Sequence, residues 1–341
     1  MDKPFPAFPE RNVPIVFSSD DAFVPYMAVM LASIVLHSSQ AYCYDFLIFH
    51  RSISSENQKI LSQIIAGSNR SIRFIDVSPF VNKYTFYTKN RESFTEEAYY
   101  RLLIPEILSE YEKVLYFDGD MIALTDVAEL FQEELGDCLV ASSRDLCGLM
   151  SYYNPLEERR KYRDQVLKLK HPDDYFITGM LIFNIQPFRE TYSASYLLEF
   201  AASREWLQHD QDVLNVLCEG RTKLVSASWD VIQPELFQYL PPERKKELVE
   251  SIRNPKIIHF GGAMKPWIQM DAPFGAYFWK YAAQTPYIQE IIRRRICLEK
   301  APDSPGGMME KEFRRGTAGG RYILKFIRAW LDFKCGKGER S

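Results

Sequence analysis

The stretch Lys113–Asp126, KVLYFDGDMIALTD, decides the fold. Val114-Leu115-Tyr116-Phe117 is a short apolar run that reads as a buried strand. It breaks at Asp118-Gly119-Asp120, and a second apolar run, Met121-Ile122-Ala123-Leu124, follows at once. Two carboxylates interrupting a core strand are costly unless something neutralises them. Their i, i+2 spacing puts both on the same side of an extended backbone. Gly119 between them has no side chain, so a bulky ligand could approach the main chain. Hard oxygen ligands in such a pair suit Mg2+ or Mn2+, whose usual companion is a diphosphate. Asp-Gly is also a common turn dipeptide, but a solvent-facing turn should be followed by polar residues, and here four apolar ones follow.

Working outward, the chain shows strands alternating with helices. Residues 1–12, with Pro4, Pro6 and Pro9, read as an irregular leader. Val13–Phe17 is a short strand that breaks into Ser18-Ser19-Asp20-Asp21 before an apolar helix at Tyr26–His37. Strand, acidic turn and helix open an α/β nucleotide-binding unit, with Asp20 and Asp21 where such units bind ligands. Helix capping explains an aspartate there equally well. The unit repeats as strand Tyr44–Phe49, helix Ser54–Ala66 and strand Ile72–Val77, which predicts an α/β fold with a mostly parallel sheet flanked by helices. Glu97–Ser109 reads as a helix kinked or divided by Pro105. Arg101 lies within it, and the residues alone do not separate it from a surface arginine.

Past the DGD turn, the sequence predicts a short helix at Val127–Phe131 and a strand at Leu139–Ser142 ending near Asp145. An insertion over 147–175 should carry a helix at Leu156–Leu169 over the acceptor side of the site. Phe176–Ile185 reads as a strand pair with Gly179 at a close approach, and helices are expected at Tyr192–Arg204 and Asp210–Cys218. A last apolar strand, Lys256–Phe260, ends in His259 and runs into Gly261-Gly262-Ala263-Met264-Lys265-Pro266-Trp267. Imidazole is a metal ligand. The two glycines free backbone N–H groups for a phosphate, and Lys265 adds a point charge. A lone histidine at a strand end is commonly structural; with these neighbours it forms a diphosphate-and-metal patch.

Composition narrows the class. The 341 residues are 46% hydrophobic, enough for a large core in one or two domains, and the net charge is −3. With pI near 6.1, no global basic field points to nucleic acid. The charge is uneven: residues 314–341 hold eight Lys/Arg against two Asp/Glu, a local +6 that leaves 1–313 at −9. Six scattered cysteines without a CxxC pair read as free thiols in a reducing cytosol. The start lacks a signal-peptide core, and the longest apolar run, Val24–Leu36, is too short to span a bilayer. A cytoplasmic protein, soluble or peripheral, is the expectation.

In order along the chain stand PIVFSSDDAFVPYMAV, TEEAYYRLLIPEIL, KVLYFDGDMIALTDVAELF, FITGMLIFNI, HDQDVLNVL and IIHFGGAMKPW. With these six segments the chain resembles glycosyltransferase family 8, retaining GT-A enzymes that include bacterial lipopolysaccharide α-galactosyl- and α-glucosyltransferases. The likeness runs from about Val13 to Trp267. It implies a GT-A fold over 13–285, Rossmann-like, with a small helical C-terminal extension over 286–341. It implies a UDP-sugar donor, UDP-glucose or UDP-galactose, with Mn2+ (or Mg2+) held by Asp118, Asp120 and His259. Asp20 sits where the family contacts uracil, with Asp21 beside it. Arg101, Asp145 and Asp210 match positions that bind the donor sugar, and Gln211 the residue under the β face of its anomeric carbon. Gly262 and Lys265 match the diphosphate loop.

Two departures stand out. Ala22-Phe23 replaces a common Asn-Tyr, so Phe23 keeps the stacking face without the polar groups. Phe176-Ile177-Thr178-Gly179 lacks the usual Asn, which leaves donor choice open. The resemblance implies a glycan or glycolipid acceptor of lipopolysaccharide type. Competing classes are a metal-dependent phosphoesterase or nucleotidyltransferase on the same DGD, and a self-glycosylating or nucleotide-sugar-binding protein. Finally, Arg321–Lys334 places Ile323, Phe326, Ile327, Trp330 and Phe333 at helical spacing among basic residues. It reads either as an interfacial helix on an anionic membrane or as a helix capping the core.

Overall fold

A computed structural model of the chain describes residues 3–88, 95–155, 159–232, 237–262 and 264–300. Ten strands are described: β1 Asn12–Ser18, β2 Cys43–His50, β3 Arg70–Asp76, β4 Lys113–Phe117, β5 Met121–Ala123, β6 Val140–Ser143, β7 Met180–Asn184, β8 Thr222–Val225, β9 Val231–Ile232 and β10 Ile257–His259. Seven form one sheet in the order β3-β2-β1-β4-β7-β6-β8, and β5-β10-β9 form a second. In the large sheet β1 pairs in parallel with β2 and β4, β2 with β3, and β6 with β8. β7 alone runs against its neighbours β4 and β6. The mostly parallel expectation holds, with one reversed strand. The small sheet was not read from the sequence, because strands of two or three residues carry no period of their own.

Alternation along the strands builds the core. Ile15 and Phe17 of β1, with Leu115 and Phe117 of β4, face one apolar layer; Val16, Val114 and Tyr116 face the other. The first layer is filled by the helix Val24–His37, whose residues from Val24 through Ile34 are all buried. That helix also fixes the central turn. Ser33 Oγ accepts from the Ala123 N–H of β5 at 2.9 Å, and a Cβ on Gly119 would stand 3.0 Å from both Met27 Cβ and Phe23 Cε1. Gly119 is therefore required by the approach of the protein's own helix, in addition to lining the candidate ligand cleft.

Other elements depart locally from expectation. Glu97–Ser109 is divided: a 3-10 helix, Glu96–Leu103, passes into a short α-helix, Ile104–Ile107, with Pro105 in its first turn, where a missing N–H costs nothing. Phe176–Ile185 is one strand rather than a pair; Phe176 makes only an isolated bridge to Arg144. Of the helix expected at Leu156–Leu169, residues 156–158 lie outside the described residues. The remainder is a turn of α-helix, Arg159–Lys161, running into a π-helix, Tyr162–Leu167, that ends at Lys168 with φ 56°. No disulfide joins Cys43, Cys138, Cys147, Cys218 and Cys297 to one another. Among the described residues no helix is long and apolar enough to cross a membrane. The basic segment 314–341 lies outside them.

The topology gathers chemistry at one edge. The strand order reverses between β1 and β4, and ligands bind beyond the carboxyl ends of strands at such a switch point. Register sets Val16 opposite Tyr116, so Asp20 after β1 and Asp118 after β4 emerge together. Phe117 opposite Met180 brings Thr178 and Gly179 to the same edge, and His259 opposite Met121 sets the imidazole beside Asp120. Asp145, just past β6, joins them.

Candidate active site

These residues line a single cleft of about 580 Å³, within the ordinary range for small-molecule sites. Asp118, Asp120 and His259 form its centre, each offering a ligand atom within 4.8 Å of the others. The pairing of their atoms is selective. Asp118 Oδ1 accepts from Arg101 Nη2 and from the Tyr116 hydroxyl, both at 2.8 Å. Asp120 Oδ2 is taken by Lys265 Nζ, which also donates to the Phe260 carbonyl at 2.8 Å. What remains, Asp118 Oδ2 and Asp120 Oδ1, lies 3.9 and 3.2 Å from His259 Nε2. Two carboxylate oxygens and one imidazole nitrogen facing each other fit Mn2+, and less fully Mg2+.

Sequence reasoning missed the residue that aims the imidazole. Asp230, fully buried just before β9, bonds His259 Nδ1 through Oδ1 at 2.8 Å, which directs Nε2 toward the aspartates. Nothing in SASWDVI (226–232) singles this aspartate out; it is found only when β9 and β10 pair. Burial alone would lower the His259 pKa, but Asp230 and Asp120 outweigh it and hold it well above its usual value. Burial likewise pushes the Asp230 carboxyl up. For Asp120 burial is overcome by Lys265 and His259, which hold it far below the usual range.

A second network adjoins the first. Arg101 is 3% exposed and pairs with Asp118 and, at 3.2 Å, with Asp210; it also donates to the Thr178 carbonyl and lies 4.3 Å from the Tyr116 ring centre. It is a buried hub, not a surface arginine. The Thr178 hydroxyl donates to Asp210 Oδ2 at 2.9 Å. Asp145 caps the helix Leu146–Tyr153 by accepting from Gly148 N–H at 2.7 Å, and its other oxygen accepts from Gln211 Nε2 at 2.9 Å. Asp210 and Gln211 open the helix Asp210–Leu217, and His209 before them is held at φ 52°, ψ −128°. A non-glycine residue there is strained, as backbone at functional sites often is. Burial raises the Asp210 carboxyl to about 6, against the pull of Arg101.

The remaining expected residues divide. Asp20 lines the cleft and accepts from the Phe23 N–H at 2.7 Å; burial raises its pKa. Phe23 lines it too, its ring centre 5.4 Å from Tyr26 and 6.2 Å from Trp267. Asp21 does not line the cleft: its carboxylate accepts from Ser54 N–H and Asn57 Nδ2, both at 2.8 Å, and so tethers the next helix. The helix Val24–His37 has Phe23 at its N-cap and no side-chain cap bond, so Asp21 holds the following helix rather than capping this one. Gly262 and Lys265 both line the cleft, and Gly262 has φ 79°, a conformation that favours glycine. From the insertion, Cys147, Met150, Ser151, Asn154 and Arg159 form one wall.

The fold is that of GT-A glycosyltransferases, with an acidic cleft that could hold a metal ion at its switch point. Residues 14–271 match the family model Glycosyl transferase family 8, and the chain belongs to that family. It superposes on the apo structure of the bifunctional glycosyltransferase WbbM with a TM-score of 0.76 at 27% identity, over 85% of this chain and 53% of that one. The chain thus spans about half the length of that protein. It superposes on the galactosyltransferase LgtC, solved with donor and acceptor sugar analogues, with a TM-score of 0.68 at 20% identity, over 83% of this chain and all of the other; that likeness is one of fold. In sequence it is 26% identical to the lipopolysaccharide 1,2-glucosyltransferase of Escherichia coli K12 over 178 residues, 50% of this chain and 48% of that enzyme.

Proposed function

We propose that this chain is a retaining hexosyltransferase, moving glucose or galactose from a UDP-sugar to a hydroxyl of a lipopolysaccharide-type surface glycan, with Mn2+. The observation that carries the reading is the convergence of Asp118 Oδ2, Asp120 Oδ1 and His259 Nε2 beside Lys265 in one cleft. A divalent ion bound there would supply Lewis-acid stabilisation of the departing diphosphate. The chain's own residues supply the rest. Lys265 and the Gly262 loop bind the diphosphate and stabilise charge on the leaving group. Asp20 and Phe23 hold the base, and Arg101, Asp145 and Asp210 orient the hexose.

Gln211 then lies under the anomeric carbon. An amide is a poor nucleophile, and retention by double displacement calls for a carboxylate there. Asp145 has both oxygens engaged, and Asp210 is tied to Arg101 and Thr178. These bonds favour front-face transfer: the anomeric C–O bond to the β-phosphate breaks, the bond to the acceptor oxygen forms on the same face, and the acceptor proton passes to a phosphate oxygen of the leaving UDP. The wall from Cys147 to Arg159 borders the acceptor. Residues 314–341 carry the enzyme to the inner face of an anionic membrane.

The test is release of UDP from UDP-glucose and UDP-galactose, side by side without acceptor, in Mn2+ or in EDTA. Manganese-dependent release from one donor, lost in Asp120→Ala, is expected. Release that ignores EDTA would contradict the metal-dependent reading. Intact mass after incubation separates self-glycosylation from transfer to water.

A further inference from the structure

The sequence assigns residues 286–341 to an extension, yet its first helix, Ile288–Lys300, contributes Arg294 to the wall of the cleft. Several contacts hold this guanidinium in place. Nη1 donates to the Ala22 carbonyl, Nη2 pairs with Glu290 at 2.5 Å, and the Tyr26 ring centre lies 5.9 Å away. The helix is anchored on the same loop. The Tyr287 hydroxyl donates to Asn57 at 2.7 Å, the Asn57 amide donates to Asp21, and Ile291 is fully buried. Arginine carries five N–H donors in a fixed fork, and these contacts leave some of them, on a side chain 32% exposed, available to a ligand.

An aromatic stack bordering the same cleft adjoins Arg294. Lys265, at the metal end on Asp120, lies 5.5 Å from the Trp267 ring centre. Trp267 stacks on Tyr26 with centres 4.3 Å apart and planes 20° from parallel. Arg294 lies 5.9 Å from the Tyr26 ring centre and, through the Ala22 carbonyl, grips the loop that bears Asp20 and Phe23.

We propose that Arg294 reads the base of the nucleotide donor, donating to the carbonyl oxygen at C4 of a uracil-type ring beside Asp20, which accepts from N3–H. The inference rests on the nucleotide-sugar reading above. Of the two uracil carbonyls, that at C2 flanks the bond to ribose. That at C4 lies across the ring from N1, the farther of the two from the ribose. Cytosine reverses both groups, with an amino donor at C4 and a bare acceptor at N3. A donor beside an acceptor therefore accepts uracil and opposes cytosine at two atoms.

The test is calorimetric titration of UDP and of CDP, each with Mn2+, into the full chain and its Arg294→Met and Arg294→Lys variants. A hydrogen bond from a charged donor is worth about tenfold or more in affinity. Arg294→Met should weaken UDP by that factor and leave CDP unchanged or tighter, so the UDP-to-CDP preference falls in step. Arg294→Lys keeps the charge and loses the fork, and should give an intermediate ratio; it also serves if the methionine variant does not fold. A residue that only clamps Ala22 would weaken both nucleotides equally, and that result, or an unchanged UDP affinity, overturns the proposal. Failure of the unaltered chain to bind UDP would instead overturn the nucleotide-sugar reading, and this inference with it.

Discussion

Asp230→Leu tests the metal site through a residue that does not line the cleft. Asp230 is fully buried and reaches the site only through its 2.8 Å bond to His259 Nδ1. Leucine keeps the branched heavy-atom outline of aspartate, and the imidazole left behind can become neutral instead of remaining an unpaired buried cation, which limits the cost of removing one partner of a buried pair; a folded protein is expected. Without the carboxylate the imidazole can take the other tautomer or rotate, and Nε2 no longer faces Asp118 and Asp120. Carboxylate partners of metal-binding histidines are worth about 10–100-fold in metal affinity, or about 1.4–2.8 kcal/mol. Asp230→Asn keeps an acceptor oxygen at the same place and should retain most of that affinity. The assay is electron paramagnetic resonance of free Mn2+ during titration in the presence of UDP, with melting temperature as the control for folding. A folded leucine variant that binds Mn2+ as tightly as the unaltered protein would refute the reasoning.

Further outcomes follow from the same geometry. In Gly179→Ala a Cβ would lie 2.6 Å from His259 Nδ1 and 3.1 Å from Asp230 Oδ2, so the imidazole must move; Mn2+ affinity should fall while UDP binding in EDTA stays the same, and unchanged Mn2+ affinity would count against the packing described. Asp210, raised by burial from the ordinary 3.8 to about 6, holds its proton more tightly in the folded state. Its stabilising contribution is complete below the ordinary value and is lost as pH rises through about 6. In chelator, the difference in unfolding free energy between the unaltered chain and Asp210→Asn should therefore fall between about pH 4 and about pH 7, by at most about 3 kcal/mol; a flat difference contradicts it. Deleting 314–341 should abolish co-sedimentation with anionic liposomes, and undiminished co-sedimentation would sink the membrane proposal.

What the sequence made legible is what short-range pattern encodes. The DGD break in an apolar strand, the acidic turn after β1 and the HFGG run after β10 were readable because polar residues interrupt buried runs. The helix Val24–His37 was readable because its residues are apolar nearly throughout. What escaped depends on pairing between distant segments. Asp230 becomes a partner of His259 only when β9 lies beside β10, and Tyr116 reaches Asp118 along a strand in which it looks like one more core aromatic. Gly119 reads as room for a ligand and does line the cleft, while the requirement for glycine also comes from Met27 and Phe23, which no sequence pattern places there. Asp20 and Asp21 are adjacent and chemically identical, yet one faces the cleft and the other holds a helix. Thr178, noted only as the lack of an asparagine, bonds Asp210 through its hydroxyl and Arg101 through its carbonyl. Arg294 sits within a segment whose composition suggested a tail.

The most direct measurement of the central claim is a calorimetric titration of UDP into the protein with Mn2+ and again in EDTA. The account predicts saturable binding with Mn2+ that weakens at least about tenfold in EDTA, as expected when a diphosphate loses charge-assisted contacts, and that is lost in the same way in Asp120→Ala. UDP binding of equal strength with and without the metal, or none in either, would contradict the assignment of Asp118, Asp120 and His259 as a metal–diphosphate site.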